Sequence, residues 1–351
     1  AEQGLDAILV TKPEDCRYLS GFTGSSGPAA TLLVSRDGAA LATDFIHFEQ
    51  AKQEAPGFTV MPATGPSRRF TELVSGGSRP GRVAFEADVV SVAEFRRLSE
   101  EAQKAGAELV PTEGIVDSLR AVKDEEEISC ILRAAFIADT AMNHVAARLH
   151  PGMTEKEAAW EAEKCLRESG SEPLPFDIIV ASGPNAALPH AKPTDRPIPE
   201  GEPVIFDIGA RWRGYCSDLS RTLCLGPLPE RFRAVYDLVL RAQQAAIDGI
   251  RAGMTGAQAD GVARAVIAQA GHGDEFGHGL GHGVGLAVHE RPRVSLNSTE
   301  ALQENSVFTI EPGVYIIDWG GVRIEDTVVI RDGRVQPLTR AGKDARPLEA
   351  A

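Results

Sequence analysis

Three things are scarce in this chain, and each scarcity excludes a class of protein. Basic residues are outnumbered: 36 Lys and Arg stand against 50 Asp and Glu in 351 residues, a formal charge of −14. A nucleic-acid binder or a protein held to anionic lipid needs a basic face, so both are excluded. Long apolar runs are missing too. None approaches the roughly 18 residues of a membrane span, and no secretory hydrophobic segment opens the sequence. Cysteine is sparse and unpaired: Cys16, Cys130, Cys165, Cys216 and Cys224 are odd in number and form no CxxC pair. They read as reduced, buried thiols, and a cytoplasmic setting is expected.

Glycine and histidine are abundant in one place. Residues 277–289 read GHGLGHGVGLAVH, with His278, His282 and His289 among five glycines in thirteen residues. Glycine allows positive φ and close approach at an entropic cost that an idle loop need not bear. Imidazole is the commonest metal ligand and the usual proton shuttle near neutral pH. The stretch therefore reads as part of a site.

The length exceeds the size at which single cores stop growing, so two domains are expected. Residues 1–120 read as an α/β domain. A strand is expected at Ala7–Val10, a hairpin at 29–34 and 39–43, helices at 45–54 and 92–105, and short strands at 83–85 and 109–110. The acidic run from Lys123 to Glu127 suits the start of a long helix and marks the boundary. Residues 121–351 form the second domain.

That domain contains an internal repeat. A long helix, 126–149, runs into Gly152-Met153-Thr154, and another, 231–251, runs into Gly253-Met254-Thr255, 101 residues later. Thr154 with Glu157 and Thr255 with Gln258 are capping boxes that start two further helices, 155–169 and 256–270. A duplicated helix-helix-strand unit related by a pseudo-twofold axis follows, with a site between its halves.

Each half carries two acids in strands. In the first, a hairpin centred between Trp212 and Arg213 would set Asp207 directly opposite Asp218. Like charges so placed destabilise a sheet, so a cation is required. In the second, Glu311 and Glu325 interrupt apolar strands, where an unpaired carboxylate is expensive; an ion pair with Arg323 is the alternative for Glu325. Four carboxylates and an imidazole would neutralise two divalent ions, and such a pair acidifies a water and polarises a carbonyl. Oxygen-rich ligation favours manganese, with cobalt, iron or zinc possible.

The motifs Asp207-Ile-Gly-Ala, Ser217-Asp218-Leu-Ser-Arg-Thr222, His278-Gly-Leu-Gly-His282, His289-Glu290, Ile310-Glu311-Pro-Gly313 and Val322-Arg-Ile-Glu-Asp326 closely resemble the pita-bread metallopeptidases, and within them the Xaa-Pro peptidases, aminopeptidase P and prolidase. The resemblance extends to the segment from Phe176 to His190 and to Tyr18–Gly24. It implies a creatinase-like α/β domain followed by a pita-bread domain. By that resemblance Asp207, Asp218, His282, Glu311 and Glu325 bind two metal ions, with Asp218 and Glu325 bridging. Glu311 also moves a proton toward the leaving nitrogen. His190 and His289 bind substrate and stabilise the tetrahedral intermediate. His278 contacts substrate or supports the site, and Arg323 orients the bridging glutamate and adjoins the substrate. A homodimer acting on proline-containing peptides is expected.

The X-Pro bond is a tertiary amide with no N–H, so cleavage needs an acid at the departing nitrogen. A dipeptidase gains by capturing the proline carboxylate with a cation, whereas an aminopeptidase leaves room for more chain. Related chains often carry an arginine and a tyrosine after the segment equivalent to Ala42-Thr43-Asp44. Here Phe45-Ile46-His47-Phe48 has neither, which favours the aminopeptidase, although Arg291 and Arg293 could substitute. A methionine aminopeptidase and a non-catalytic pita-bread binding protein are the remoter alternatives. The first usually lacks such an N-terminal domain, and the second has normally lost ligands.

Overall fold

The computed structural model describes residues 4–24, 29–63, 65–75 and 81–346. It divides into two compact units, Ala1–Leu119 and Arg120–Ala351. Among the described residues no helix is long and apolar enough to cross a membrane.

The first unit is built on a six-stranded mixed sheet. Its strands are β1 (Ala7–Val10), β2 (Ala30–Ser35), β3 (Ala39–Thr43), β4 (Thr59–Pro62), β5 (Arg82–Glu86) and β6 (Glu108–Thr112), in the order β4-β3-β2-β1-β5-β6. Helices α1 (Pro13–Ser20), α2 (Phe48–Glu54), α3 (Pro66–Ser75) and α4 (Val92–Ala105) connect them, and α5 (Ile115–Arg120) leads out. The helix expected from residue 45 starts three residues later. The Asp44 carboxylate engages both the backbone N–H and the ring Nδ1 of His47, closing a turn that leaves Phe45 and Ile46 92% and 82% exposed. Helices α1 and α3 were not anticipated. The first is only eight residues long, opening on a proline that suits a first helical turn and ending at Gly21 with φ of 78°.

The second unit shows the repeat. Helices α6 (Glu125–Arg148) and α7 (Glu155–Glu168) are followed by β7 (Ile179–Ser182), β8 (Pro203–Ile208), β9 (Arg211–Trp212), β10 (Tyr215–Cys216) and β11 (Leu219–Cys224). Helices α8 (Glu230–Gly249) and α9 (Gly256–Gln269) are followed by β12 (Gly281–Gly283), β13 (Glu290–Val294), β14 (Val307–Ile310), β15 (Gly313–Ile316), β16 (Gly320–Arg323), β17 (Asp326–Arg331) and β18 (Arg334–Pro337). Both expected capping boxes form, Thr154 with Glu157 and Thr255 with Gln258. The turns before them are pinned alike. The Gly152 and Gly253 N–H groups donate to Ile198 and Leu302, which donate back to Met153 and Met254. Each helix pair packs on its own apolar core, one including Ile137, Ala158 and Phe206, the other Val239, Ala263 and Phe308.

The β8 hairpin differs from the expected register. Its turn is Arg213-Gly214, with φ of 48° and 83°, so Tyr215 pairs with Trp212 and Ser220, not Asp218, lies opposite Asp207. Two consecutive residues of positive φ match the strand twist that a two-residue hairpin requires, and a turn centred one residue earlier would put Trp212 in that conformation. Asp218 remains on the same side as Asp207, two residues along from Ser220. A second difference concerns continuity: the strand expected through 215–225 breaks at Ser217-Asp218, and the one through 321–330 breaks at Ile324-Glu325.

The repeated caps carry equal weight in the two halves. Thr154→Ala and Thr255→Ala should each lower unfolding stability by about 1 kcal/mol in urea titrations; no change in either would show that tertiary packing alone fixes these helix starts.

Candidate metal centre

Three of the four acids sit where strands stop: Asp218 between β10 and β11, Glu311 between β14 and β15, Glu325 between β16 and β17. At such breaks the side chain can leave the sheet face and turn inward. Ligand atoms of Asp218, His282 and Glu325 lie within 4.8 Å of one another. The His282 Nε2 is 3.6 Å from an Asp218 oxygen and 3.4 Å from a Glu311 oxygen. Asp207, inside β8, adjoins this group, and its charge acts on Asp218, Glu311 and Glu325. All five residues expected as ligands are thus brought together.

The two halves are stitched across the site by threonines rather than by a backbone ladder. The Thr327 hydroxyl accepts from the Asp218 N–H and donates to the Asp218 carbonyl. Thr222 does the same to Arg323, and the Glu325 N–H donates to the Ser220 carbonyl between them. The seam has the same twofold character as the helices, and it fixes Asp218 and Glu325 relative to each other.

Arg323 is not paired with Glu325. Its Nη2 is 2.7 Å from Asp207, its Nε donates to Ser220 Oγ at 2.9 Å, and that hydroxyl donates to Glu325 at 2.7 Å. Its Nη1 donates to the Tyr315 hydroxyl and the Pro189 carbonyl. Tyr315 lies 3.0 Å from the Nε2 of His278, whose Nδ1 faces the Gly279 carbonyl. Both nitrogens of His278 are therefore engaged within the protein. His289 is exposed, with its ring 4.0 Å from that of His282. His190 is exposed as well, and burial disfavours protonation of both His278 and His289.

Most of the glycines of 277–289 have a steric cause, which is most severe against backbone at two of them. A Cβ on Gly281 would lie 2.0 Å from the Thr309 carbonyl oxygen, and one on Gly283 would lie 2.1 Å from that of Arg291. Strand β12 is clamped between β13 and β14 and has no room for side chains on that face.

The donor set suits divalent cations. Burial, followed by the charges of its neighbours, raises the Asp218 and Glu325 carboxyls well above their ordinary range. Burial pushes Glu311 up to about 8 against the opposing pull of Arg323. Burial lowers His282 to about 3, and its Nδ1 faces the Gly283 carbonyl, which leaves a neutral Nε2 lone pair aimed at the acids. The Oδ1 of Asp207 is buried and has no hydrogen-bond partner among the described residues. An orphaned buried oxygen beside three strained carboxyls and a free imidazole nitrogen is what cation binding relieves.

Sequence reasoning missed Tyr315, Thr222, Thr309 and Thr327, neutral residues whose role depends on register. The Thr309 hydroxyl donates to Glu311 at 3.0 Å.

These features are those of a known family. The model of metallopeptidase family M24 matches residues 129–332. The chain belongs to that family. It is a metal-dependent peptidase, and its second unit is the pita-bread domain. The creatinase/prolidase N-terminal domain matches residues 1–122. Among relatives, the Xaa-Pro dipeptidase of Pyrococcus furiosus is 35% identical over 98% of this chain and 96% of its own. Among solved structures, the Xaa-Pro dipeptidase from Bacillus anthracis aligns with a TM-score of 0.93 at 36% identity, covering 99% of this chain and 96% of that one. The X-Pro aminopeptidase from Thermotoga maritima aligns with a TM-score of 0.87, also at 36% identity, with 97% of each chain covered.

The raised carboxyls set the sign of a pH effect. Above the ordinary histidine value of 6.5 the site imidazole of His282, which burial lowers to about 3, is neutral whether the chain is folded or not. The folded, metal-stripped protein still holds a proton on Glu311 up to about 8, whereas the unfolded chain has lost it. Stability of the stripped protein should therefore fall as pH rises through this window. Metal should remove the dependence, and its uptake should release protons. Thermal unfolding with and without chelator, at several pH values, should show a gap that widens with pH; a constant gap would contradict the site's electrostatics.

Proposed function

We propose that the protein is an Xaa-Pro dipeptidase using two divalent metal ions. Asp207, Asp218, His282, Glu311 and Glu325 would hold them, Asp218 and Glu325 being contributed by the two halves of the repeat, and the preponderance of oxygen ligands favours manganese. When bound, such a pair supplies an acidified water and a polarised scissile carbonyl. The remaining chemistry belongs to side chains. Glu311 would accept a proton from the nucleophilic water and pass it to the prolyl nitrogen, which has no N–H of its own. His289 and His190 contact the substrate and stabilise negative charge developing on the carbonyl oxygen. Arg323, through Asp207 and Ser220, and His278, through Tyr315, hold the acids in place.

The choice of dipeptidase rests on Arg293. In the ladder between β12 and β13 it lies directly opposite His282, so the two side chains share a face. Its charge acts on His289, and among the described residues no carboxylate is recorded within ion-pair reach of it. Arg291, by contrast, is committed to Glu300 at 2.9 Å. An exposed guanidinium beside the substrate-binding histidine suits the free carboxylate of a C-terminal proline. This outweighs the absence of arginine and tyrosine from Phe45–Phe48, on which sequence reasoning leaned toward the aminopeptidase. The names of the dipeptidase relatives support the same reading.

An X-Pro dipeptide should be turned over faster than the corresponding X-Pro-Y tripeptide. A charge-assisted hydrogen bond contributes about 1.5 to 3 kcal/mol. Arg293→Met should accordingly lower kcat/KM for the dipeptide by roughly 10- to 150-fold, leaving the tripeptide little changed. A wild-type preference for the tripeptide would defeat the dipeptidase reading, and hydrolysis surviving Asp218→Ala would defeat the metal mechanism.

A further inference from the structure

Residues 339–345 form a strap of irregular chain anchored at alternate positions, with Thr339, Ala341 and Ala345 2%, 4% and 6% exposed. They lie beyond the residues matched by the family model, which ends at 332. Buried backbone polar groups need partners, and here they are Asp139 on α6 and residues of β11, the strand that follows Asp218. The N–H groups of Arg340 and Ala341 donate to Asp139 on α6 at 2.7 to 2.9 Å. The carbonyls of Ala341 and Gly342 accept from Arg221, and that of Ala345 accepts from the Cys224 N–H.

Arg221 is the hub. It is 1% exposed, and besides the strap it donates to the Ser220 carbonyl, the Glu325 carbonyl and the Asp326 carboxylate. It therefore ties the backbone beside Asp218 to the backbone of Glu325. The partner of Arg221, Asp326, is 1% exposed and also accepts from Gln243 and Thr339. Lys343 completes the cluster from the strap, its Nζ 2.6 Å from Asp326 and its side chain 25% exposed.

We propose that the 339–345 strap is a positioning element of the metal centre. Through Lys343, Asp326 and Arg221 it fixes the backbone of the two acids that approach each other across the repeat, and thereby sets metal affinity. The inference rests on the assignment of Asp218 and Glu325 as ligands. Two carboxylates that must share ions cannot adjust freely, because a small displacement of either changes the distances to both ions. Arg221 and Asp326 are too buried to be probed without unfolding risk, but Lys343 reaches solvent and can be replaced.

The test is Mn(II) binding to metal-stripped full-length protein, measured by competition with a fluorescent chelator. Lys343→Met should weaken Mn(II) binding by about tenfold, the low end of what supporting contacts to ligands contribute, and Lys343→Arg should restore it. KM for an X-Pro dipeptide at saturating Mn(II) should stay at the wild-type value. Asp139→Asn, which loosens the opposite anchor of the strap without touching Asp326, should weaken binding in the same direction. Wild-type Mn(II) affinity in both variants, even with a lowered Tm, would overturn the proposal and leave the strap a purely structural element. Glu325→Gln serves as the control: if it binds Mn(II) as tightly as wild type, it is the ligand assignment that fails.

Discussion

The arrangement depends on electrostatic repulsion held in place. Two like charges about 4 Å apart in a medium of effective dielectric 20 repel by about 4 kcal/mol, and this site gathers four acids and a neutral imidazole within a buried space. Left to itself such a cluster would spread or keep its protons. The fold prevents spreading by rooting each acid in an element that cannot shift alone. Asp207 lies within β8, between β7 and β11, and the other three acids lie at breaks whose flanking strands belong to ladders. Prevented from moving apart, the acids retain protons until a cation displaces them. Affinity for metal is thus the counterpart of strain that the packing maintains.

The seam between the repeats explains why the strain does not open the domain. Thr222 and Thr327 each bind both the N–H and the carbonyl of one residue on the opposite half. A hydroxyl can donate and accept at once, so one side chain satisfies two backbone groups where no strand partner is available. A hydrophobe of similar size would leave those groups buried and unpaired, costing on the order of 1–3 kcal/mol for each. The polar seam lies directly beside the acids and gives their backbone a fixed reference. Arg323 and Arg221 then act on opposite sides of it, the first on side chains of the site and the second on the chain behind them.

Much of this was legible in the sequence because it rests on local signals. The capping boxes at Thr154 and Thr255 depend on residues three apart, and the duplicated Gly-Met-Thr turns are visible as a repeated tripeptide. The four acids could be picked out because buried or opposed carboxylates are costly wherever they fall, whereas His282 was set apart from its neighbouring histidines only by the family resemblance. What escaped was register. The alternation of apolar residues is the same for a turn at Trp212-Arg213 as for one at Arg213-Gly214, and only the demand for positive φ at two consecutive positions separates them. Gly214 was the available signal. The shift moves Ser220 to the position opposite Asp207, where its hydroxyl links Arg323 to Glu325. The threonines were invisible for a related reason, since a buried threonine in a strand looks like any β-branched residue until its partner is known.

A division of labour between arginines follows from exposure and partners rather than from residue type. Arg323 is 3% exposed and has each of its nitrogens engaged within the protein, where it serves geometry. Arg291 is partly exposed and spent on Glu300. Arg293 is exposed and lies across from His282. A guanidinium with satisfied donors stiffens a site, whereas one kept in solvent beside a binding residue pays little desolvation until an anion arrives. Charged groups on the rim of a site therefore select between substrates, while those beneath it determine whether the metal-binding geometry exists. The chain after His289 separates these positions within four residues: Glu290 turns inward to Arg120 and Lys123, and Arg293 is exposed. Specificity can then vary at the rim without disturbing the acids on which catalysis depends.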